Sequence, residues 1–206
     1  MTQKAFSIGV RIEHPQGLID RTQYGSFAGH PRLGAADYKL VYHSPRGRTA
    51  YTFCMCPGGF VVAAASEPGH VVTNGMSEYA RGGRNANSAF LVNVGPCDFG
   101  SDHPLAGIAY QRKWEELAFT LGGGGYSAPV QLLGDFLQGR KSSSLGSVEP
   151  TYMPGVEPGD LRECLPSYVV DTLKEAIPYL DRKLKGFALE LSLIHISEPT
   201  RHAQIS

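Results

Sequence analysis

Short apolar stretches separated by proline- and glycine-bearing turns fill the first half of the chain, and they constrain its fold more than any other feature. Residues 38–43, 49–56, 60–66 and 70–73 each have the length and composition of a strand. The segments between them contain Pro-Arg-Gly, Pro-Gly-Gly and Glu-Pro-Gly, which are turn signals. Regular short spacing with such turns is typical of an antiparallel sheet or a small barrel.

Two further segments extend this sheet. Residues 5–13 alternate, and four apolar side chains share one face: Phe6, Ile8, Val10 and Ile12. Residues 88–94 are a second apolar run with the length of a strand. The intervening residues 74–87 are polar and glycine-bearing, so we expect a loop there.

Helical patterns replace the strands after Pro96. We predict a helix over 105–121 with Trp114 in the core, a second over 129–137, and a long helix over 168–185 that Pro178 should kink. A helix at 16–24 and a short turn that begins at Asp160 complete the prediction. The chain is therefore predicted to be α+β, with an antiparallel sheet or small barrel in 1–100 followed by a helical part in 101–187.

Composition and charge exclude several classes of function. The formal net charge is zero, which does not favour nucleic acid or an anionic membrane as a partner. No apolar run approaches the roughly 20 residues that span a bilayer, and residues 1–7 lack the apolar region of a signal peptide. We therefore expect a cytoplasmic protein.

Familiar cofactor motifs are absent from the sequence. No Gly-x-Gly-x-x-Gly follows a predicted strand. The glycines at 122–125 follow a helix instead of preceding one, so they do not form a phosphate loop. Asp98, Asp102 and His103 stand just before a predicted helix, where capping is the simpler interpretation and a general base the alternative.

The segment Cys-Met-Cys-Pro-Gly-Gly at 54–59 is the most distinctive local motif. On a regular strand, Cys54 and Cys56 would share a face with Cα atoms ~6.6 Å apart, at the outer limit for a disulfide. The motif is compatible with two small buried residues packed near a turn, with thiols that line a flavin or substrate pocket, with a strained redox pair, or with half of a metal site whose further ligands are not recognisable. We predict no metal site.

Amide and guanidinium donors are concentrated in residues 74–87. Asn74, Arg81, Asn85 and Asn87 could bind a carboxylate, a phosphate or a carbonyl-rich ring. The same residue types also stabilise turns by bonding to their own backbone. Both interpretations remain open on the sequence alone.

The last sixteen residues, LSLIHISEPTRHAQIS, resemble the translation of a sequencing-library adapter. In that interpretation residues 191–201 are the constant adapter, His-Ala-Gln is the variable index, and Ile205 and Ser206 begin the next constant piece. We therefore expect 188–206 to be an artefact, and the natural sequence to continue differently after about Gly186. His195 and His202 are accordingly not considered as ligands.

Several long blocks of the chain resemble the C-terminal domain of the uncharacterised FAD-dependent dehydrogenases, a family of bacterial flavoproteins. The resemblance covers nearly all of 6–187. The blocks include FSIGVRIEHPQ, YTFCMCPGG, VVTNGMS, RNANSAFLV, DFGSDHPLAGI and GDLRECLP.

The resemblance implies a piece of a two-dinucleotide-binding flavoprotein. It implies FAD as the cofactor of the complete protein, bound by segments before and after this chain, which are then its partners together with an unknown small substrate. This chain would form the substrate-side cover of the flavin and be inactive alone. Cys54, Cys56, Gly58, Gly59, Asn74, Arg81, Asn85 and Asn87 are the residues expected near the ring.

Two alternatives to this oxidoreductase fragment remain. One is a non-catalytic module that binds a small anion through the 74–87 segment. The other is a thiol redox protein centred on Cys54 and Cys56.

Overall fold

The computed structural model describes residues 2–189 in full and the backbone of residues 193–201. Within these residues the chain forms eight strands and four α-helices. The strands are β1 (Phe6–Pro15), β2 (Val41–His43), β3 (Thr49–Ala63), β4 (Thr73–Ser77), β5 (Asn85–Val94), β6 (Ala128–Leu132), β7 (Val156–Pro158) and β8 (Leu193–Arg201). The helices are α1 (Gln16–Tyr24), α2 (Ala106–Leu121), α3 (Leu133–Gln138) and α4 (Ser167–Lys183).

All eight strands belong to one sheet. Seven of them follow the order β1-β5-β3-β4-β8-β6-β7, and β2 lies outside this order and pairs with β3. Strand β8 also pairs with β1, so the sheet curls towards a small barrel. The junction between β4 and β8 is a single residue pair, Thr73 with Ser197. The central pairings are antiparallel, which confirms the predicted α+β class with its antiparallel sheet.

The apolar face of β1 forms the centre of the main core. Phe6, Ile8, Val10 and Ile12 are all buried, as their alternation predicted. Helix α4 supplies much of the opposing surface, with Val169, Leu173, Ala176 and other apolar side chains at helical spacing. Pro178 lies inside this helix, as predicted.

The opposite face of β1 is buried as well, although it is polar. Ser7, Arg11 and Glu13 are at most 1% exposed. They alternate with the apolar residues, and in the antiparallel register Arg11 and Glu13 pair with Ala89 and Asn87 of β5. The curl of the sheet therefore encloses polar side chains that an open sheet would leave in water.

Strand β3 runs further than the sequence predicted. The Pro-Gly-Gly at 57–59 was expected to turn the chain between two strands, but Thr49–Ala63 is continuous. The register to β5 shifts twice, between Phe53 and Cys56 and between Cys56 and Gly59. Two bulges absorb the extra residues, so the proline and glycines bend the strand without ending it.

The polar segment 74–87 is only partly a loop. Its first residues belong to β4 and its last to β5, and the loop itself is residues 78–84. The predicted helix at 129–137 was also partly wrong. Residues 128–132 form β6, which pairs with β7 through partners more than 25 positions away, and only 133–138 are helical.

Candidate functional site

Two bulges in β3 create a local irregularity in an otherwise regular sheet. They lie at Cys54–Cys56 and Cys56–Gly59, opposite Asn87 and Asn85 of β5. Bulges interrupt ladder pairing and re-aim the side chains around them, and they are frequent beside active sites. The Cys-Met-Cys-Pro-Gly-Gly motif thus forms the two bulges.

Arg11 lies beneath the bulges and connects three strands. Its Nη1 donates to the Asn87 side-chain oxygen at 2.7 Å and to the Cys54 carbonyl at 3.3 Å. Its Nη2 donates to the Asn74 side-chain oxygen at 3.0 Å. One guanidinium therefore joins β3, β4 and β5 at the place where the β3–β5 ladder is interrupted.

The Arg11 charge is not compensated by a carboxylate among the described residues. Its three acceptors are neutral, and its Nε has no hydrogen-bond partner in residues 2–189. The Asn87 Nδ2 amide is a second buried donor without a partner in the same region. Burial lowers the pKa of Arg11, opposed by the nearby Cys56 and Cys54 thiols. The cluster therefore has an excess of positive charge and of donors.

Glu13 organises a second set of contacts next to Arg11. Its carboxylate accepts from the Asn85 side-chain amide at 2.8 Å and from the Thr151 hydroxyl at 2.7 Å. The Asn85 amide also donates to the Glu149 carbonyl at 3.0 Å. Glu13 thereby fixes the start of β5 to the 149–151 segment, directly beside the second bulge.

Gly58 allows the 78–84 loop to lie directly on the second bulge. Its φ is +49°, and a Cβ at this position would lie 1.8 Å from the Arg81 carbonyl oxygen. The Gly83 amide donates to the Gly58 carbonyl, and the Gly58 amide donates to the Gln16 side chain at 2.7 Å. Gly59 is similarly close to the Met76 carbonyl.

Cys54 and Cys56 differ in their environments. Cys54 is exposed and has a φ of +44°, a left-handed conformation that is unusual for a residue with a side chain. Cys56 is half-buried, and its thiol donates to the Cys54 carbonyl at 3.3 Å. Burial raises the pKa of Cys56, while Arg11 opposes that shift.

The eight predicted site residues are gathered in one region. Arg11 contacts Cys54, Asn74 and Asn87 directly, and the Cys56 thiol donates to the same Cys54 carbonyl that Arg11 contacts. Gly58, Gly59 and Asn85 belong to the second bulge and its partner strand. Arg81 reaches the region through its backbone, since its side chain is exposed.

Arg11 and Glu13, the two charged residues at the centre of this region, were not predicted from the sequence. Arg11 and Glu13 occupy the polar positions of an alternating strand, which normally face water. No local sequence pattern marks them as buried. Their burial results from the closing of the sheet, which depends on strands distant in sequence. Gln16, which holds Gly58, lay in a segment read only as a helix start.

The other candidate acidic group lies elsewhere. Asp98 makes a two-pronged ion pair with Arg48, at 2.6 and 2.9 Å, and accepts from the Gly95 amide. Helix α2 begins at Ala106, and no side chain caps its N-terminus. The expected capping of this helix by Asp98 or Asp102 was therefore wrong, because Asp98 instead caps a separate 3₁₀ turn at Pro96–Asp98.

Comparison with known proteins places the chain in a family. A model described as "FAD-dependent protein, C-terminal domain-like" matches residues 5–201. The chain belongs to this family. An uncharacterized protein of Clostridium beijerinckii is 57% identical over 195 residues, which are 94% of this chain.

The chain spans well under half of the length of that relative. The matched region is 37% of the relative's length. The family match also runs across most of residues 188–206, and the interpretation of that stretch as adapter sequence stays a prediction.

Two features are missing from the residues that the structure describes. No helix has both the length and the apolar character needed to cross a bilayer. No cluster of three or more His, Cys, Asp or Glu side chains could hold a metal ion.

Proposed function

We propose that this chain is the part of an FAD-dependent oxidoreductase that covers the substrate side of the flavin, and that it is inactive alone. The family identity supports an FAD-dependent parent. The share of the relative that it matches leaves more than half of that protein to supply the coenzyme cradle. The complete protein would pass electrons from an organic substrate to an acceptor.

The convergence of the predicted site residues on Arg11 is the observation that carries this proposal. Three separate stretches of sequence are fixed to one buried guanidinium, so the bulged end of the sheet is rigid. Its outer edge remains accessible, with Cys54 exposed and Phe53 43% and Met76 52% exposed. A rigid inner shell with an accessible apolar edge suits a surface that closes over a planar ring.

In this proposal, the described residues form the covering surface of the flavin and not its phosphate cradle. Pyrophosphate binding in dinucleotide folds uses a glycine-rich turn that leads into a helix N-terminus. Helices α1 and α4 instead follow Pro15 and Pro166 directly. FAD would supply hydride chemistry when bound. The residues of this chain would shape the space above the ring and keep water out of it.

Purification of two proteins tests the first half of the proposal. The 206-residue chain should carry no flavin absorbance, whereas the product of the complete parent gene should be yellow. Added FAD should not raise the melting temperature of the short chain. A short chain that retains flavin through gel filtration would contradict the proposal.

Hydrogen exchange in the complete protein tests the location of the cover. FAD-loaded protein, compared with the flavin-free form, should show slower exchange in residues 54–59 and 74–87. The loop at 138–147 serves as the internal control and should not change. Protection confined to segments outside 54–87 would contradict a flavin-facing role for these residues.

A second candidate function is favoured by the buried donors without partners. Arg11 Nε and Asn87 Nδ2 could bind a small anion in a non-catalytic module. Formate and acetate would then raise the melting temperature of the short chain, and Asn87→Ala would remove the effect. An anion-induced shift with no flavin in the complete protein would select this candidate over the first.

A further inference from the structure

The two cysteines at the first bulge have an arrangement that neither the family nor the proposed cover explains. An exposed thiol and a half-buried thiol stand two residues apart, and the second donates to the backbone carbonyl of the first. The other two cysteines of the chain stand apart from this pair. Cys97 is exposed beside Asp98, and Cys164 is buried.

Arg11 gives the pair a charged neighbour for which residues 2–189 contain no counter-ion. A buried cation is stabilised only by hydrogen bonds and opposite charge. Among residues 2–189 it has neutral acceptors and one Nε–H without a partner. The groups beside it that can become anions are the thiols of Cys56 and Cys54 and the buried Tyr38 hydroxyl.

We propose that Cys54 and Cys56 form a redox-active dithiol whose second thiolate is stabilised by Arg11. Its oxidant is a low-molecular-weight disulfide. The inference does not rest on the flavin, since every residue in it belongs to this chain.

The reaction proceeds in two exchanges. The exposed Cys54 thiolate attacks one sulfur of the small disulfide, forms a mixed disulfide and releases half of the reagent as a thiolate. Cys56 then gives its proton to that released thiolate, attacks the Cys54 sulfur and releases the other half. Two protein thiols become one disulfide, and the small disulfide becomes two thiols.

The roles follow from the exposure of each sulfur. Cys54 is open to the reagent, whereas burial raises the pKa of Cys56 and keeps it protonated at rest. Cys56 has to lose its proton only for the second exchange, and the nearby Arg11 guanidinium then stabilises the resulting thiolate. The left-handed backbone at Cys54 and the bulge hold the two residues out of the regular strand.

Incubation with oxidised glutathione followed by trypsin and mass spectrometry tests the proposal. The chain offers a built-in comparison, because Cys54 and Cys56 share one tryptic peptide, 49–81, while Cys97 and Cys164 lie in two others. The 49–81 peptide should lose two hydrogens. Cys97 should retain a mixed disulfide, since it has no neighbour to resolve it, and Cys164 should stay unmodified. A stable glutathione adduct on 49–81, or no reaction there, would overturn the dithiol.

Two cysteine variants assign the order of the exchanges. Cys56→Ser should trap the mixed disulfide on Cys54, and Cys54→Ser should leave Cys56 unreacted at neutral pH. Rapid modification of Cys56 in Cys54→Ser would reverse the assigned roles and overturn the mechanism.

Arg11→Met tests the role of the guanidinium. The second exchange should slow by about tenfold, the effect of losing one charge-assisted hydrogen bond, and it should slow more than the first, in which the attacking Cys54 is exposed. The mixed disulfide should therefore accumulate, and Arg11→Lys should restore part of the rate. Continued protection of the buried Cys164 thiol reports whether the variant is folded. An unchanged second exchange in folded Arg11→Met would refute the role of Arg11.

Discussion

His14 is a neutral histidine in the core, and its titration should set the acid stability of the domain. It is fully buried, and its Nε2 bonds to the Phe187 carbonyl at 2.9 Å, while its Nδ1 has no partner among the described residues. Burial lowers its pKa to about 4, opposed by the Phe187 hydrogen bond. The folded state therefore disfavours the protonated ring that the unfolded state accepts.

The contribution of neutral His14 to the free energy of unfolding is complete above its pKa in the unfolded chain, about 6.5. It is lost as the pH falls from there towards 4. The difference of about 2.5 pKa units corresponds to a loss of about 3 kcal/mol over this range. Urea unfolding at pH 7, 6, 5 and 4.5 would measure it. His14→Gln should flatten the slope, while a variant of the exposed His103 should not. A wild-type slope that survives in His14→Gln would show that other groups cause it.

Gly75 provides a second test at the scale of single atoms. A Cβ there would lie 2.2 Å from the Asn87 side-chain oxygen and 2.3 Å from Arg11 Nη1. Gly75→Ala should therefore displace Arg11 and destabilise the fold by about 1–3 kcal/mol, as overpacking does. Gly82→Ala is the matched control, because a Cβ at Gly82 meets nothing within 4 Å. Equal melting temperatures for the two variants would contradict the packing described around Arg11.

At the scale of elements, the second bulge of β3 and the 78–84 loop form one unit. The contact between Gly58 and the backbone of Arg81 leaves no space for a side chain. Gly58→Ala should release the loop and increase tryptic cleavage after the exposed Arg81 and Arg84. Gly47→Ala is the control, since Gly47 also has a positive φ of +81° but open space around it. Similar cleavage in both variants would show that the contact at Gly58 does not hold the loop.

Local sequence patterns predicted some of the strands and helices correctly and others wrongly. The apolar face of β1 follows local alternation, so it was predictable. The continuous β3 was not, because a Pro-Gly-Gly segment signals a turn unless bulges accommodate it. Strand β6 was assigned to a helix, since its pairing with β7 depends on residues across the intervening α3 and loop.

At the scale of the whole molecule, the curl of the sheet depends on β8. Strand β1 lies between β5 and β8 and pairs with β8 from Phe6 to Glu13. Ending the chain after Leu189 should therefore leave β1 as an open edge and expose the polar face that holds Arg11 and Glu13. We expect aggregation and a lower melting temperature, measured by light scattering and calorimetry. An unchanged, monomeric product would show that β8 contributes little.

The sequence alone determined the class of the fold and the segments that carry the candidate site. Turn residues and the two-residue alternation act locally, so they specified an antiparallel sheet, its apolar face and the unusual Cys-Met-Cys-Pro-Gly-Gly stretch. The tertiary structure alone decided that Arg11 and Glu13 belong to the site. Their burial arises because strands distant in sequence enclose the second face of β1, and no local pattern contains that information.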